Sequence, residues 1–258
     1  MLFVDTPVLC GHRGSGRGVV GGHRENTLDS YRAAVDAGLP WVEVDARFNA
    51  DDVLVARHDP MVDDGRFISE MSTAETDAAG VMGVEDLLGD LPPHVGVDLD
   101  VKSSLEDAQR PRERTTGALV AGLVRRAGGG RPLLVSSFDP AVLLIVRERI
   151  PEQPLGLITW TRFPLDTAIP AAVHLGVEVV APHFASFPLE DGSGPAVERD
   201  AAHSVRVAHD AGLQVMTWCP KQAQADELMA AGVDCLIVDD APAAVERRRS
   251  ATLARRGL

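Results

Sequence analysis

The chain has 258 residues, enough to bury one large core, and its 45% hydrophobic and 24% charged content is that of an ordinary globular protein. With 38 acidic against 25 basic residues the formal charge is −13, which repels nucleic acid and anionic membrane and excludes binding driven by backbone phosphates. An anionic substrate would need a bound cation, or local Arg and Lys, to offset that field.

Cys10, Cys219 and Cys235 lie in or beside apolar runs, without CxxC spacing. They read as free thiols in a reducing compartment. The N-terminal MLFVDTPVLCGH lacks a basic n-region and a sustained apolar h-region, so a cytoplasmic protein is expected. No apolar run approaches the ~20 residues that span a bilayer, and stable membrane association is not expected.

In chain order, PVLCGH is a strand candidate, followed by a helix from Thr27 to Ala37 that Gly38 ends. WVEVDARF is the next strand, and VLVARH follows the polar turn Ala50-Asp51-Asp52. GVEDLLGDL suggests a short helix and VGVDLDVK a strand. TTGALVAGLVRRA has apolar spacing near 3.6 and is closed by Gly128-Gly129-Gly130. PLLVSSF, PAVLLIVRERI and PLGLITW then read as strand, helix and strand, and LDTAIPAAVHLG as a helix weakened by Pro170. VEVVAPHF is a strand, the segment 195–212 a helix, LQVMTWC a strand, QADELMAAG a helix and DCLIVDD a strand. APAAVERRRSATLARR closes the chain as a helix.

About eight strand units, mostly each followed by a helix, favour a (β/α)8 TIM barrel in the α/β class. The strands are apolar throughout, as when both faces are covered. An open α/β sheet is the rival, although the first unit lacks a GxGxxG turn. No linker or composition shift splits residues 1–258, so one domain is expected. The segment from Met61 to Met82 is poor in apolar residues and reads as an excursion that covers the barrel mouth.

Alternation places Glu43 and Asp45 on one face of their strand and Val42 and Val44 on the other. The bland reading is a solvated edge. Burial of both acids would call for a cation between them, and hard oxygen ligands favour Mg²⁺ or Ca²⁺. Asp98, Asp100 and Lys102 repeat the pattern, as a buried ion pair or as an extension of the same site. His12 and His58 each end an apolar run. Each alone could be a hydrogen-bonded loop residue; together they supply a proton acceptor and a donor. His183 ends a strand in the same way. Gly11, Gly14, Gly16 and Gly18 form either a loop that approaches phosphate closely or a flexible lid. Trp160 and Trp218 sit at strand ends, to floor a pocket or to pack the core.

The chain resembles the glycerophosphodiester phosphodiesterases. The motifs that carry the resemblance are Gly11-His12-Arg13-Gly14, Glu25-Asn26-Thr27, Glu43-Val44-Asp45 and His58-Asp59, followed by LDVK, Ser136-Ser137-Phe138 and Gly232-Val233-Asp234 through Asp239. It implies a TIM barrel with one divalent cation, Mg²⁺ or Ca²⁺, held by Glu43, Asp45 and Asp100. His12 and His58 would be general acid and base, with Arg13 and Lys102 on the phosphate and Trp218 at the alcohol end. The implied reaction is metal-dependent hydrolysis of a small-molecule glycerophosphodiester to glycerol 3-phosphate and an alcohol. Two other readings are a phospholipase D-like enzyme that forms a cyclic phosphate from lysophospholipid or sphingolipid, and a catalytically silent binding protein. The sequence departs from the family pattern in three places: Asp100 stands for the usual Glu, Arg24 for Pro, and Thr217-Trp218-Cys219-Pro220 for WTVN. The oligomeric state is left unknown by the sequence.

Overall fold

A computed structural model describes residues 1–192, 194–195 and 199–255, the last five by their backbone alone. Eight parallel strands form the barrel: β1 (Val8–Gly11), β2 (Trp41–Phe48), β3 (Gly96–Val101), β4 (Leu133–Ser137), β5 (Leu155–Thr159), β6 (Val179–Pro182), β7 (Gln214–Trp218) and β8 (Cys235–Val238). Each pairs with its sequence neighbours, and β1 pairs with both β8 and β2, which closes the sheet. The expected (β/α)8 architecture is therefore present.

The strands are apolar on both sides because they meet two cores. Outward residues such as Val44, Leu99 and Val135 pack under the helices, while Phe3, Cys10, Trp41, Leu134, Met216 and Cys235 fill the interior. Phe3 lies edge-on to Trp41, centroids 5.1 Å apart. The Gln214 side chain accepts from the backbone N–H of Leu2 and Phe3 at 2.7 and 2.9 Å. These contacts plug the N-terminal end of the barrel and leave its C-terminal end for a site.

Local signals set the helix starts. Thr27 caps α1 (Leu28–Asp36) through Ser30 N–H, and Asp139 accepts from Ala141 N–H at 2.8 Å ahead of a helix that begins at Pro140. The helix expected over 195–212 runs from Ala201 to Asp210, capped by Asp200, and residues 196–198 of that expectation lie outside the described residues. Pro170 does not break its helix, which runs Leu165–Leu175.

One expected barrel strand is not one. VLVARH contributes only Leu54–Ala56, which pairs antiparallel with the end of β2 through Phe48↔Leu54 and Ala46↔Ala56. The reason is connection length: a polar turn of a few residues can reverse a chain, whereas a parallel crossover needs a dozen or more. The excursion after it packs Val62, Ile68, Met71 and Val81 with Val55 of that strand into a small core. Among the described residues no helix is long and apolar enough to cross a membrane.

Candidate active site

The period-2 alternation of β2 and β3 turns Glu43, Asp45, Asp98 and Asp100 into the barrel, and all four are buried. The β2–β3 register pairs Glu43 with Asp98 and Asp45 with Asp100, so the carboxylates form two rungs. Lys102, one step further along β3, places Nζ 2.9 Å from Asp45 Oδ1 and against Asp100 Oδ2.

Arg13 follows β1 in the left-handed region, φ 53°. The turn aims its backbone N–H at Glu43 Oε2, 2.9 Å away, and sets its guanidinium between Glu25 at 2.8 Å and Asp45 at 3.2 Å. Asn26 donates to Asp45 Oδ2 at 2.8 Å and accepts from the buried Tyr31 hydroxyl at 2.7 Å.

The carboxylates are not equivalent electrostatically. Burial alone would raise Asp45, but Lys102 and Arg13 outweigh it and hold its carboxyl well below the usual range. Glu43 is pushed well above that range by burial, with Asp45 and Asp100 adding repulsion. Asp100 is raised by burial despite Lys102. On the lower rung, burial pushes Asp98 up to about 8, and Ser136 Oγ donates to it at 2.6 Å. Glu43 Oε1 and Asp100 Oδ1 are buried with no hydrogen-bond partner. One oxygen from each of Glu43, Asp45 and Asp100 falls within a 4.8 Å cluster. Three convergent acids, two of them with an orphaned buried oxygen, suit a hard divalent cation, so the residues fit the ion implied by the sequence.

His12 Nδ1 lies 2.5 Å from Asp239 Oδ1 and 3.4 Å from Cys219 Sγ; its Nε2 lies 3.9 Å from Glu43 Oε2. His58 stands just past the antiparallel strand. Its Nδ1 is 2.8 Å from Asp59 Oδ1, and its carbonyl accepts from Arg47 Nε at 2.8 Å. Both histidines face one cleft of about 900 Å³ at the C-terminal end of the barrel. In the same cleft, Trp160 stacks on Phe138 at 4.3 Å, and Trp218 meets His183 edge-on at 4.3 Å.

Of the residues singled out in the sequence, His12, Arg13, Glu43, His58, Asp100, Lys102 and Trp218 line this cleft, and Asp45 lies directly beneath it. His183 also lines it, half-buried, with its Nδ1 accepting from Ala185 N–H at 3.1 Å. The excursion supplies Asp63 and Ala79–Val81 to one wall. Arg13 and Lys102 already contact carboxylates. The glycine loop is placed by packing: a Cβ on Gly16 would fall 1.8 Å from the Asp239 carbonyl oxygen. Sequence reasoning assigned no role to Asp239, Cys219, Asn26 or Phe138. Asp239 and Phe138 each end an apolar strand run, as the two histidines do, and that position was the available signal.

The sequence from residue 12 to 243 matches the model of the glycerophosphoryl diester phosphodiesterase family. The chain belongs to this family. It is thus a phosphoric diester hydrolase, and the first-described resemblance holds over nearly its full length. No curated protein matches it in sequence. Among solved structures, it is similar to a glycerophosphodiester phosphodiesterase from Parabacteroides distasonis at 18% identity and TM-score 0.75, covering 97% of this chain and 98% of that one. It resembles the glycerophosphodiester phosphodiesterase of Thermotoga maritima at 17% identity and TM-score 0.72, covering 93% and 97%. A phosphodiesterase from Oleispira antarctica in complex with the product sn-glycerol-3-phosphate is 21% identical, with TM-score 0.74 and coverage of 93% and 96%. At these identities the structural likeness speaks for the shared fold.

Proposed function

We propose that this chain is a metal-dependent glycerophosphodiester hydrolase that releases glycerol 3-phosphate and an alcohol. One observation carries the reading: in a single cleft, three buried carboxylates, two of them with orphaned oxygens, adjoin two histidines, and each histidine has an aspartate on Nδ1. Glu43, Asp45 and Asp100 would hold one Mg²⁺ or Ca²⁺. Arg13 and Lys102 offset part of the negative charge of these acids and of Glu25, and a divalent cation would offset more. When bound, the cation supplies Lewis-acid stabilisation of the charge that develops on phosphate oxygens.

The protein's own groups supply the rest. Asp239 and Asp59 hold the proton of His12 and His58 on Nδ1, which leaves each Nε2 to exchange a proton with the reactants. One histidine takes the proton of the attacking hydroxyl, from water or from the substrate, and the other returns a proton to the leaving alcohol oxygen. Arg13 and Lys102 hold Asp45 ionised and stand beside the phosphate. Phe138, Trp160 and Trp218 would face the alcohol, with the Trp218 Nε1 donor buried and without a partner. The product complex of the Oleispira phosphodiesterase supports glycerol 3-phosphate as the product.

The test is release of glycerol 3-phosphate from glycerophosphocholine and glycerophosphoethanolamine, with and without chelator, followed by phosphorus NMR. Open glycerol 3-phosphate that EDTA abolishes is the expected result. Turnover that ignores EDTA, or a cyclic phosphate as the end product, contradicts the proposal.

A further inference from the structure

A second cluster of ligand atoms stands on the far side of the His12 ring from the carboxylates. Cys219 Sγ, His12 Nδ1 and an Asp239 oxygen all lie within 4.8 Å of one another. Three strand ends bring them together: β1 ends before His12, β7 before Cys219 and β8 before Asp239. The β8–β1 register of Gly11 with Val238 sets His12 and Asp239 side by side. Cys219 N–H donates to Ile237 O at 3.0 Å, and φ 57° at Cys219 turns its side chain toward the ring.

We propose that Cys219, His12 and Asp239 form a second, softer cation site that takes a borderline transition ion such as Zn²⁺, and that its occupation arrests hydrolysis. The donor set decides the class of ion. One thiolate, one imidazole and one carboxylate suit Zn²⁺ or Co²⁺ and are poor for Mg²⁺ or Ca²⁺, the reverse of the all-oxygen cluster. The geometry needs little change. Tetrahedral zinc with ordinary bond lengths separates sulfur and nitrogen ligands by about 3.6 Å, against the 3.4 Å between Sγ and Nδ1. Nitrogen and oxygen ligands would stand about 3.3 Å apart, so Asp239 must withdraw from its 2.5 Å hydrogen bond. Its side chain is 42% exposed and has room to do so. On binding, the Cys219 thiol and His12 Nδ1 bond to the ion, and the thiol proton leaves to solvent. The imidazole keeps one proton, now on Nε2, where it no longer exchanges readily. The arrest rests on the catalytic role proposed above for His12; the binding does not.

The experiment uses the full chain saturated with Mg²⁺ and titrated with Co²⁺, a probe whose thiolate complexes absorb strongly in the near ultraviolet. Wild type is expected to gain that band with one equivalent of Co²⁺, to lose it when Zn²⁺ is added, and to lose activity by ~10-fold or more with Zn²⁺. Cys219→Ala is expected to lack the band and to keep its activity within about twofold in the same zinc. Its turnover in Mg²⁺ alone shows that the variant is folded. No band in wild type, or an equal band in Cys219→Ala from the buried Cys10 and Cys235, overturns the site. A band that Cys219→Ala removes, without zinc inhibition of wild type, upholds the site and overturns the arrest.

Discussion

His12 and Asp239 are 227 positions apart and share a 2.5 Å contact between Nδ1 and Oδ1, because β8 closes on β1 one residue before each of them. The pairing draws Asp239 below its ordinary carboxylate range against the effect of burial and fixes which ring nitrogen faces the carboxylates. Asp239→Asn keeps the shape but loses the anion that orients the ring. Turnover is expected to fall by roughly 10- to 100-fold, less than the loss in His12→Ala, which removes the proton carrier itself. Steady-state release of glycerol 3-phosphate measures both, and unchanged kcat in Asp239→Asn would remove the aspartate from the site.

Glu43 pairs a functional task with a cost to the fold. Its carboxyl is buried and pushed well above the usual range, so above the unfolded value it subtracts from the stability of the metal-free protein. Glu43→Gln is expected to melt at or above the wild-type temperature in EDTA. Excess Mg²⁺ at ~100 times its dissociation constant should stabilise wild type by about 2.7 kcal/mol and leave the variant unmoved. A variant that is stabilised equally by Mg²⁺ would exclude Glu43 as a ligand.

Gly16 holds φ 143° against the Asp239 carbonyl, and the Ser15 carbonyl accepts from Ala241 N–H at 2.8 Å. Gly16→Ala inserts a methyl where no atom fits and is expected to destabilise by about 2 kcal/mol or more. Activity should fall in the surviving folded fraction, because the same shift moves Asp239 away from His12. Melting curves and kcat are measured together; a stable variant with full activity would deny that this loop positions Asp239.

Away from the site, Asp52 joins the turn after β2 to the segment that follows β3. Its side chain contacts Arg110 and lies 2.6 Å from Arg114 Nε, and these two outweigh burial to lower its carboxyl. A lowered folded value means that this stability is present above the unfolded value near ~3.9 and fades as pH falls through the folded one. Asp52→Asn should cost at most about 1 kcal/mol at pH 7, since the group is partly exposed. The gap from wild type should narrow from pH 7 to a pH below the unfolded value of ~3.9. Urea titrations at both pH values check this; an equal gap at each would point to hydrogen bonding without charge.

The sequence by itself determined what depends on neighbours along the chain. Period-2 alternation placed Glu43 with Asp45, and Asp98 with Asp100 and Lys102, on shared faces. Caps such as Thr27 and Asp139 were legible for the same reason, and so was the order of motifs that carried the family resemblance. The tertiary structure decided what depends on pairing between distant strands. The β2–β3 register set Asp45 beside Asp100, barrel closure set Asp239 and Cys219 on His12, and the short turn sent Leu54–Ala56 back along β2 rather than into the barrel. Register and closure are fixed by hydrogen bonding and burial across the whole sheet, between strands as far apart along the chain as β1 and β8.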